Sequence, residues 1–194
     1  MLAENNKESF VKEQIEQSIQ CKAGLYVEIT KIVEVANVMI KALRAGNKVI
    51  LFGNGGSAAD AQHIAAELVG KLYRDRPPLP AIALTTNSSL ITAIANDFGY
   101  EKVFSRQLQC LIHKGDIVIG ISTSGSSKNI VDGITEARKY GATTIALIGK
   151  KGKLKELADY VISVQSEQTP HIQEAHILIG HIICYLIEED LFGD

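Results

Sequence analysis

The stretch that decides the fold runs from Lys114 to Asn129 and reads KGDIVIGISTSGSSKN. Its apolar run, residues 117–121, is typical of a strand that is buried on both faces of a parallel sheet. Small residues follow, and residues 129–140 then have the periodicity of an amphipathic helix. The first N–H groups of such a helix lack internal partners and lie at the positive end of its dipole, so the stretch predicts an anion site.

Hydroxyl side chains line the turn within this stretch. They belong to Ser122, Thr123, Ser124 and Ser127, and they add hydrogen-bond donors to the backbone N–H groups. No lysine lies inside the turn as it would in a P-loop, which favours a phosphomonoester over a nucleoside triphosphate. The alternative is an ordinary strand-to-helix turn with a serine cap, and the turn alone leaves both interpretations open.

Length, charge and cysteine usage restrict the class of protein. The chain has 194 residues and a formal net charge of -2, which suits one globular domain and argues against nucleic-acid binding. Three well-separated cysteines without a Cys-x-x-Cys pair indicate reduced thiols in a cytosolic protein. The polar N-terminus is unlike a signal peptide and no apolar run is long enough to span a membrane, so we expect no membrane association.

Strand and helix patterns alternate along the chain from residue 48 onward. The predicted strands are 48–53, 80–84, 116–121, 143–148 and 160–164, and the predicted helices include 58–69, 87–95, 101–112, 129–140 and 172–191. This alternation predicts an α/β fold with three layers, in which a doubly wound, five-stranded parallel sheet has helices on both faces. No linker or repeat interrupts it, so we interpret residues 1–194 as one domain.

A long helical segment precedes the first strand. Residues 7–45 have apolar side chains at helical spacing, with Gly24 between two predicted helices and Gly46 at the end of the second. An α/β core does not need this N-terminal arm, residues 1–46. The arm therefore packs either on a neighbouring subunit or on the sheet of its own chain.

The glycine-rich loop after the first strand resembles a dinucleotide fingerprint. Gly53, Gly55 and Ala58 have the required spacing between a strand and a helix. The fingerprint also needs an acidic residue at the end of the next strand, where the chain instead reads ALTT at 83–86. A nicotinamide cofactor is therefore disfavoured, and the glycines are better explained by a tight turn that brings the backbone close to a sugar or phosphate.

Three loops are expected to meet at one edge of the sheet. Ligands of open parallel sheets bind at the carboxyl ends of the strands, beside the point where the strand order reverses. The loops after the first three strands therefore share a crevice in this interpretation. It places residues 54–57, residues 96–97 in a predicted turn, and residues 122–127 within reach of one small molecule.

Two further groups of polar residues lie on predicted helices. His63 and Glu67 are four residues apart, which puts them on one helix face about 6 Å apart along the axis. An imidazole and a carboxylate form half of a zinc site, whereas the alternative is a solvated intrahelical pair. The last helix adds the candidates His171, Gln173, Glu174, His176 and His181, which we interpret as ligands or as hydrogen-bonding groups at a subunit interface.

These motifs together resemble the phosphoheptose isomerases, which are sugar-isomerase (SIS) domain enzymes. The motifs, in chain order, are GNGGS at 53–57, His63 with Glu67, NDFG at 96–99, GISTSGSS at 120–127 and IQEAH at 172–176. The serine-rich loop is typical of SIS domains in general, whereas the full set, with His181, is specific. The resemblance covers nearly the whole chain and implies a flavodoxin-like fold.

The resemblance also implies a reaction and a set of site residues. The family converts sedoheptulose 7-phosphate to D-glycero-D-manno-heptose 7-phosphate for lipopolysaccharide or capsule, as cytoplasmic, zinc-dependent homotetramers with one zinc ion per subunit. Glu67 and His181 match its acid and base residues, and His63, Glu67, Gln173 and His181 match its metal ligands. The matching substrate contacts are Asn54, Gly55, Gly56, Ser57, Glu67, Asn96, Asp97, Ser122, Thr123, Ser124, Ser127 and Gln173.

The residue types suit this chemistry, and one position departs from the family pattern. Aldose–ketose isomerisation through an enediol needs a base, an acid and a stabiliser of the enediolate, which a carboxylate, an imidazole and a cation provide. His171 stands where many family members have arginine, which leaves the charge at that position different. An alternative function is a non-catalytic SIS protein that binds a sugar phosphate and regulates a protein partner such as the replication initiator.

Overall fold

A computed structural model describes residues 4–193 of the chain, and the side chains of residues 6–193. The strands are β1 (Val49–Gly53), β2 (Ala81–Ala83), β3 (Ile117–Ser122), β4 (Thr143–Ile148) and β5 (Tyr160–Ser163). The helices are α1 (Glu4–Ala23), α2 (Ile29–Arg44), α3 (Gly56–Val69), α4 (Ser88–Phe98), α5 (Ser105–Leu111), α6 (Lys128–Lys139), α7 (Leu154–Leu157) and α8 (Thr169–Phe192). Short 3-10 turns lie at Gly24–Glu28 and Tyr100–Lys102.

All strand pairs of the sheet are parallel, and the strand order is β2-β1-β3-β4-β5. The order reverses between β1 and β3, so the loops that follow these two strands face each other across a crevice. The predicted doubly wound, five-stranded parallel sheet is confirmed, and each predicted strand end lies within one residue of the observed end. Short apolar runs that contain β-branched residues, most of them bounded by glycine or charged residues, explain this accuracy.

The sheet separates two apolar cores. Val49 and Leu51 of β1 pack on the side of α2, α3 and α8, whereas Ile50 and Phe52 pack on the side of α5 and α6. Alternate residues of one strand therefore enter different cores, as expected for a strand covered on both faces. The predicted three layers are confirmed. None of the helices within the described residues has the length and hydropathy to cross a lipid bilayer.

The two helices of the N-terminal arm have different surroundings. The apolar stripe of α2, which includes Val35 and Met39, is buried in the core beside α8. The last turns of α1 contact α8 through Lys22, whose Nζ lies 2.8 Å from Glu174 Oε2. In contrast, Phe10 and Ile15 of α1 remain 49% and 56% exposed. Helix α2 thus covers the sheet of its own chain, and α1 presents an apolar face to solvent.

A buried histidine on α8 makes stability depend on pH. His176 is fully buried, and neither ring nitrogen has a hydrogen-bond partner among the residues described. Burial lowers the pKa of His176 to about 4 from its ordinary 6.5, an effect that the carbonyl of Ile148 opposes only in part. The unfolded chain therefore takes up a proton near pH 6.5, whereas the folded chain takes it up only near pH 4.

We expect the contribution of His176 to the free energy of unfolding to fall as the pH is lowered from about 6.5 to about 4, by about 3 kcal/mol at most. Chemical denaturation of the wild type and of His176→Leu at several pH values across this range measures this contribution as the difference between the two proteins. The variant lacks the titrating group and should lose less stability than the wild type as the pH falls. An equal slope in the wild type and in this variant would show that another group is responsible.

Candidate active site

Three hydroxyl groups converge where β3 ends and α6 begins. Ser122 Oγ lies 3.3 Å from Ser127 Oγ and 3.4 Å from Ser124 Oγ, and the last two oxygens are 3.5 Å apart. Ser127 occupies the N-cap position of α6, but its hydroxyl makes no capping hydrogen bond there. Ser127 therefore does not cap α6 with its side chain, as the alternative interpretation of this turn required. The hydroxyls surround the positive end of the helix dipole, which suits a bound anion.

The loop after β4 supports this turn through its backbone. The N–H of Gly149 donates to the carbonyl of Thr123 at 3.2 Å, and the N–H of Leu154 donates to the carbonyl of Gly125 at 3.0 Å. Gly125 has a φ of 61° and lies so close to Gly152 that a side chain would overlap the neighbouring backbone. Two loops thus hold the turn in a conformation that only glycine adopts easily.

Positive charge lies beside the hydroxyl turn. Thr123 and Ser124 line a cavity of about 390 Å³ together with Lys150, Lys151 and Thr169. Both lysines are exposed on the loop that supports the turn. The turn itself contains no cation, and these two ammonium groups place positive charge in the same cavity, although Lys151 Nζ also lies 3.5 Å from Glu167 Oε1.

A pair of amides joins the loop after β1 to the start of α6. Asn54 Nδ2 donates to Asn129 Oδ1 at 2.9 Å, and Asn129 Nδ2 donates to Asn54 Oδ1 at 2.8 Å. The hydroxyl of Tyr100 also donates to Asn54 Oδ1 at 3.1 Å. The predicted convergence of the loops after β1 and β3 is thus present. Sequence reasoning assigned no role to Asn129, the last residue of the quoted stretch 114–129, or to Tyr100, which directly follows the NDFG motif at 96–99.

The remaining residues of the first loop approach α8. Gly55 has a φ of 56°, which explains the need for glycine at this position. Gly56 begins α3, and a Cβ there would overlap the side-chain amide of Gln173. Ser57 is buried, and its backbone packs against Gly53. The glycines thus permit close packing within the protein. In particular, the absence of a side chain at Gly56 allows Gln173 to lie against this loop.

The predicted turn at residues 96–97 is wrong. Asn96 and Asp97 lie in the last turn of α4, which begins after the cap Asn87 and ends only at Gly99 with a φ of 89°. Both side chains are exposed, and Asn96 Nδ2 donates to Asp97 Oδ1 at 2.8 Å. The glycine in the left-handed region, rather than the polar pair before it, ends the helix.

A second polar cluster combines α3 and α8. His63 Nε2 lies 3.3 Å from Glu67 Oε1 and 2.8 Å from Nε2 of His181. One ligand atom from each of the three residues lies within 4.8 Å of the others. Ile64 and Leu68, which follow His63 and Glu67 in α3, are buried in the core. Two imidazoles and a carboxylate at this spacing are able to hold one metal ion.

The parallel packing of α3 and α8 determines which residues meet. A Cβ on Gly180 would lie 2.6 Å from Cδ1 of Ile64, so this glycine allows the two helices to approach closely. Gln173 contacts the start of α3, whereas His181 contacts His63 further along it. A continuous helix separates residues 173 and 181 by about 12 Å along its axis. Within one chain, Gln173 therefore lies at the glycine loop rather than among the three ligand atoms.

The other polar candidates on α8 do not join this cluster. His171 and His176 are buried, and their ring nitrogens have no hydrogen-bond partners among the described residues. Glu174 accepts hydrogen bonds from Lys22 and Ser18 of α1, and these bonds lower its pKa. The interpretation as hydrogen-bonding groups at a subunit interface does not hold for His171 and His176, because both are buried within their own chain.

Two titratable groups near the cluster were not predicted. Asp60 lies one turn before His63, and one of its carboxylate oxygens is buried without a hydrogen-bond partner in the described part of the chain. Burial raises the pKa of Asp60 to about 6, against the opposing charge of His63. Burial, together with the charge of Glu67, raises the pKa of Cys184 to about 12. Cys184 is thus a neutral thiol at physiological pH and a poor metal ligand.

Comparisons with known proteins agree with this geometry. The SIS domain family model matches residues 17–149. The phosphoheptose isomerase of Sulfurimonas denitrificans is 54% identical over 189 residues, which make up 95% of this chain and 97% of that protein. The chain belongs to the phosphoheptose isomerase family. Another relative, the probable phosphoheptose isomerase of Thermoplasma acidophilum, is 53% identical over 169 residues, or 87% of this chain and 93% of that protein.

Solved structures of phosphoheptose isomerases have the same fold. The enzyme of Neisseria gonorrhoeae is 38% identical, with a TM-score of 0.89 over 94% of this chain and 98% of that chain. The enzyme of Francisella tularensis is 36% identical, with a TM-score of 0.91 over the same shares of the two chains. The family resemblance drawn from the motifs is therefore confirmed, and with it the SIS fold.

Proposed function

We propose that this family member isomerises D-sedoheptulose 7-phosphate to D-glycero-D-manno-heptose 7-phosphate through an enediol. The observation that carries the proposal is the cluster of His63, Glu67 and His181, because a protein that only binds a sugar phosphate has no need for it. The near-full-length similarity to phosphoheptose isomerases supports the same reaction. In this role the protein would act in the cytoplasm, where its product leads to activated heptose for lipopolysaccharide or capsule.

The roles of the residues combine what the family resemblance implies with the chemistry of their side chains. In this proposal the phosphate binds to the turn of Ser122, Thr123, Ser124 and Ser127. The sugar contacts Asn54, Gly55, Gly56, Ser57, Asn96, Asp97 and Gln173. Glu67 takes a proton from C1 of the ketose, beside the carbonyl carbon, and the resulting enediol receives a proton at C2. His181 moves the proton between the two oxygens, so the reaction consumes no other reagent.

The cluster fits a zinc ion, one per subunit. Two ligands on a tetrahedral zinc ion with bonds of about 2.0–2.1 Å lie about 3.3 Å apart. The 3.3 Å between His63 Nε2 and Glu67 Oε1 matches this separation, and the 2.8 Å between the two imidazole nitrogens is somewhat shorter. His63, Glu67 and His181 of one chain would hold the ion, and Gln173 of a second copy of the chain would be the fourth ligand. When bound, the ion supplies Lewis-acid stabilisation of the negative charge on the substrate oxygens.

We further infer a homotetramer with sites at subunit interfaces. The arm helix α1 exposes an apolar face that includes Phe10 and Ile15. A cavity of about 740 Å³ borders His181 and has apolar walls that include Tyr73, Leu178 and Ile182. Contiguous apolar surface of this kind typically marks an interaction site. A second copy of the chain that covered this cavity would complete the surroundings of His181. It could also supply its own Gln173, since within one chain this side chain lies at the glycine loop.

Removal of one hydroxyl from the phosphate turn tests the binding role. Ser124→Ala should raise KM for the sugar phosphate by about 5- to 30-fold, which corresponds to the loss of one hydrogen bond of about 1–2 kcal/mol. Steady-state kinetics with the wild type and the variant measure this change, and inorganic phosphate should compete less well with the variant. Ser89→Ala, an exposed serine on α4, is the matched control.

An unchanged KM in Ser122→Ala, Ser124→Ala and Ser127→Ala alike would contradict the assignment of the phosphate to this turn. A panel of ketose phosphates tests the substrate itself. We expect turnover to be highest with sedoheptulose 7-phosphate. Binding of the panel without any aldose formation would favour the alternative, a regulator that binds a protein partner.

A further inference from the structure

A buried ion pair that the proposed chemistry does not use lies beyond the cluster. Arg76 and Glu188 have side chains that are only 3% and 1% exposed, and Arg76 Nε lies 3.0 Å from Glu188 Oε1. The carboxylate also accepts hydrogen bonds from the N–H groups of Leu72 at 3.3 Å and Tyr73 at 2.8 Å. Burial alone would raise the pKa of Glu188, but these donors outweigh it and lower the pKa. Glu188 is thus a charged, fully engaged carboxylate.

The other side of the guanidinium binds the last turn of α3. Arg76 Nη2 donates to the carbonyl of Glu67 at 2.8 Å, and Nη1 donates to the carbonyl of Leu68 at 2.9 Å. Carbonyls in the last turn of a helix lack helical partners and lie at the negative end of the dipole. The planar guanidinium presents its donors in a fixed geometry. One side chain therefore fixes the backbone of Glu67 relative to Glu188.

Glu188 belongs to the helix that carries His181. The two residues are seven positions apart on α8, which corresponds to about two helical turns and nearly the same face. Arg76 consequently links the backbone of one cluster residue, on α3, to the helix of another. The only covalent connection between these helices runs through more than 90 residues, so it does not fix their separation.

We propose that the Arg76–Glu188 pair positions Glu67 against His181, and that Arg76 is a positioning residue of the reaction. This inference rests on the proposed function of the cluster. Displacement of a reacting group by about 1 Å can lower a rate by about 100-fold, so a link that sets this separation affects catalysis strongly. A merely stabilising pair would have no such effect, because its loss would lower the fraction of folded protein without changing kcat or metal affinity per folded molecule.

The double variant Arg76→Met with Glu188→Leu separates the two roles. We expect it to be less stable than the wild type, because backbone groups at residues 67, 68, 72 and 73 lose these hydrogen-bond partners. In the folded protein, kcat should fall about 10- to 100-fold, while KM changes less than about twofold. A second readout needs no substrate. Titration of the metal-free protein with Co²⁺, followed by absorbance, should show an affinity about 10- to 100-fold weaker in the double variant. Arg44→Gln is the control, since Arg44 pairs with Asp190 of α8 at 2.8 Å.

The outcomes distinguish the inference from its alternatives. A folded double variant with the kcat and Co²⁺ affinity of the wild type would overturn the positioning role. A loss of activity that matches the loss of folded protein would also overturn it. If the double variant does not fold, Arg76→Lys replaces it in the test. Lysine keeps the charge but lacks the planar guanidinium with its several donors, so this variant should show the same weakened Co²⁺ binding. Failure of the proposed function would instead appear as a wild type that binds Co²⁺ but forms no aldose.

Discussion

Glu67→Gln is expected to lower turnover by about 10²–10⁴-fold, which is the usual loss when a general base is removed. Glutamine keeps the size of the side chain but does not accept the proton. A carboxylate bound to a cation is a weaker base, since the cation stabilises its charged form. Glu67 therefore acts best if it binds the ion through one oxygen or leaves it when substrate enters. Substrate affinity should change little, because the phosphate turn lies on another loop.

His63→Ala serves as the comparison, since it should weaken metal binding first and recover some activity when zinc is added. Exchange of the C1 proton of the substrate with solvent deuterium isolates the base itself. We expect Glu67→Gln to exchange this proton far more slowly than the wild type does. Exchange at the wild-type rate would show that another group is the base, with His181 the first candidate.

Two inactive variants should restore each other if the site combines residues of two subunits. Gln173→Ala and His181→Ala each remove one proposed ligand, and each alone should lose most activity. In mixed oligomers formed by co-expression, about a quarter of the sites would contain both native residues, so activity should return to about that fraction. We expect this result because about 12 Å of helix separates the two positions, so one chain does not present both side chains to one ion.

Analytical ultracentrifugation of the same samples provides the control, since complementation requires an assembled oligomer. A mixture that stays as inactive as its components, in an oligomer of unchanged size, would contradict a site shared between subunits. A fully active monomer at the assay concentration would contradict it more directly.

Local pattern was enough to predict most of the fold. The apolar run of β3 and the stripe of α2 report burial directly, because each element is long and its period is clear. Asn96 and Asp97 were misplaced because polar residues are typical of turns, whereas the positive φ of Gly99 decides where α4 ends. The buried positions of His171 and His176 were equally hidden, because no local pattern reveals that a polar group faces a core.

The site was only partly accessible from sequence for a similar reason. The spacing of His63 and Glu67 indicates a shared helix face, but their contact with His181 depends on the packing of α3 against α8. Gly180 allows that packing, and a lone glycine in an apolar helix gives little warning of it. Arg76 stands among prolines in a loop, where nothing in the sequence relates it to Glu188.

The most direct test of the account is a proton NMR measurement of sedoheptulose 7-phosphate in D₂O with the zinc-loaded wild-type protein. We expect an aldose signal to appear and the product to carry deuterium at C2, because the base exchanges its proton with solvent before returning it. The same sample with Glu67→Gln should remain a ketose over the same time. Substrate that binds to the wild type but yields no aldose would contradict the account.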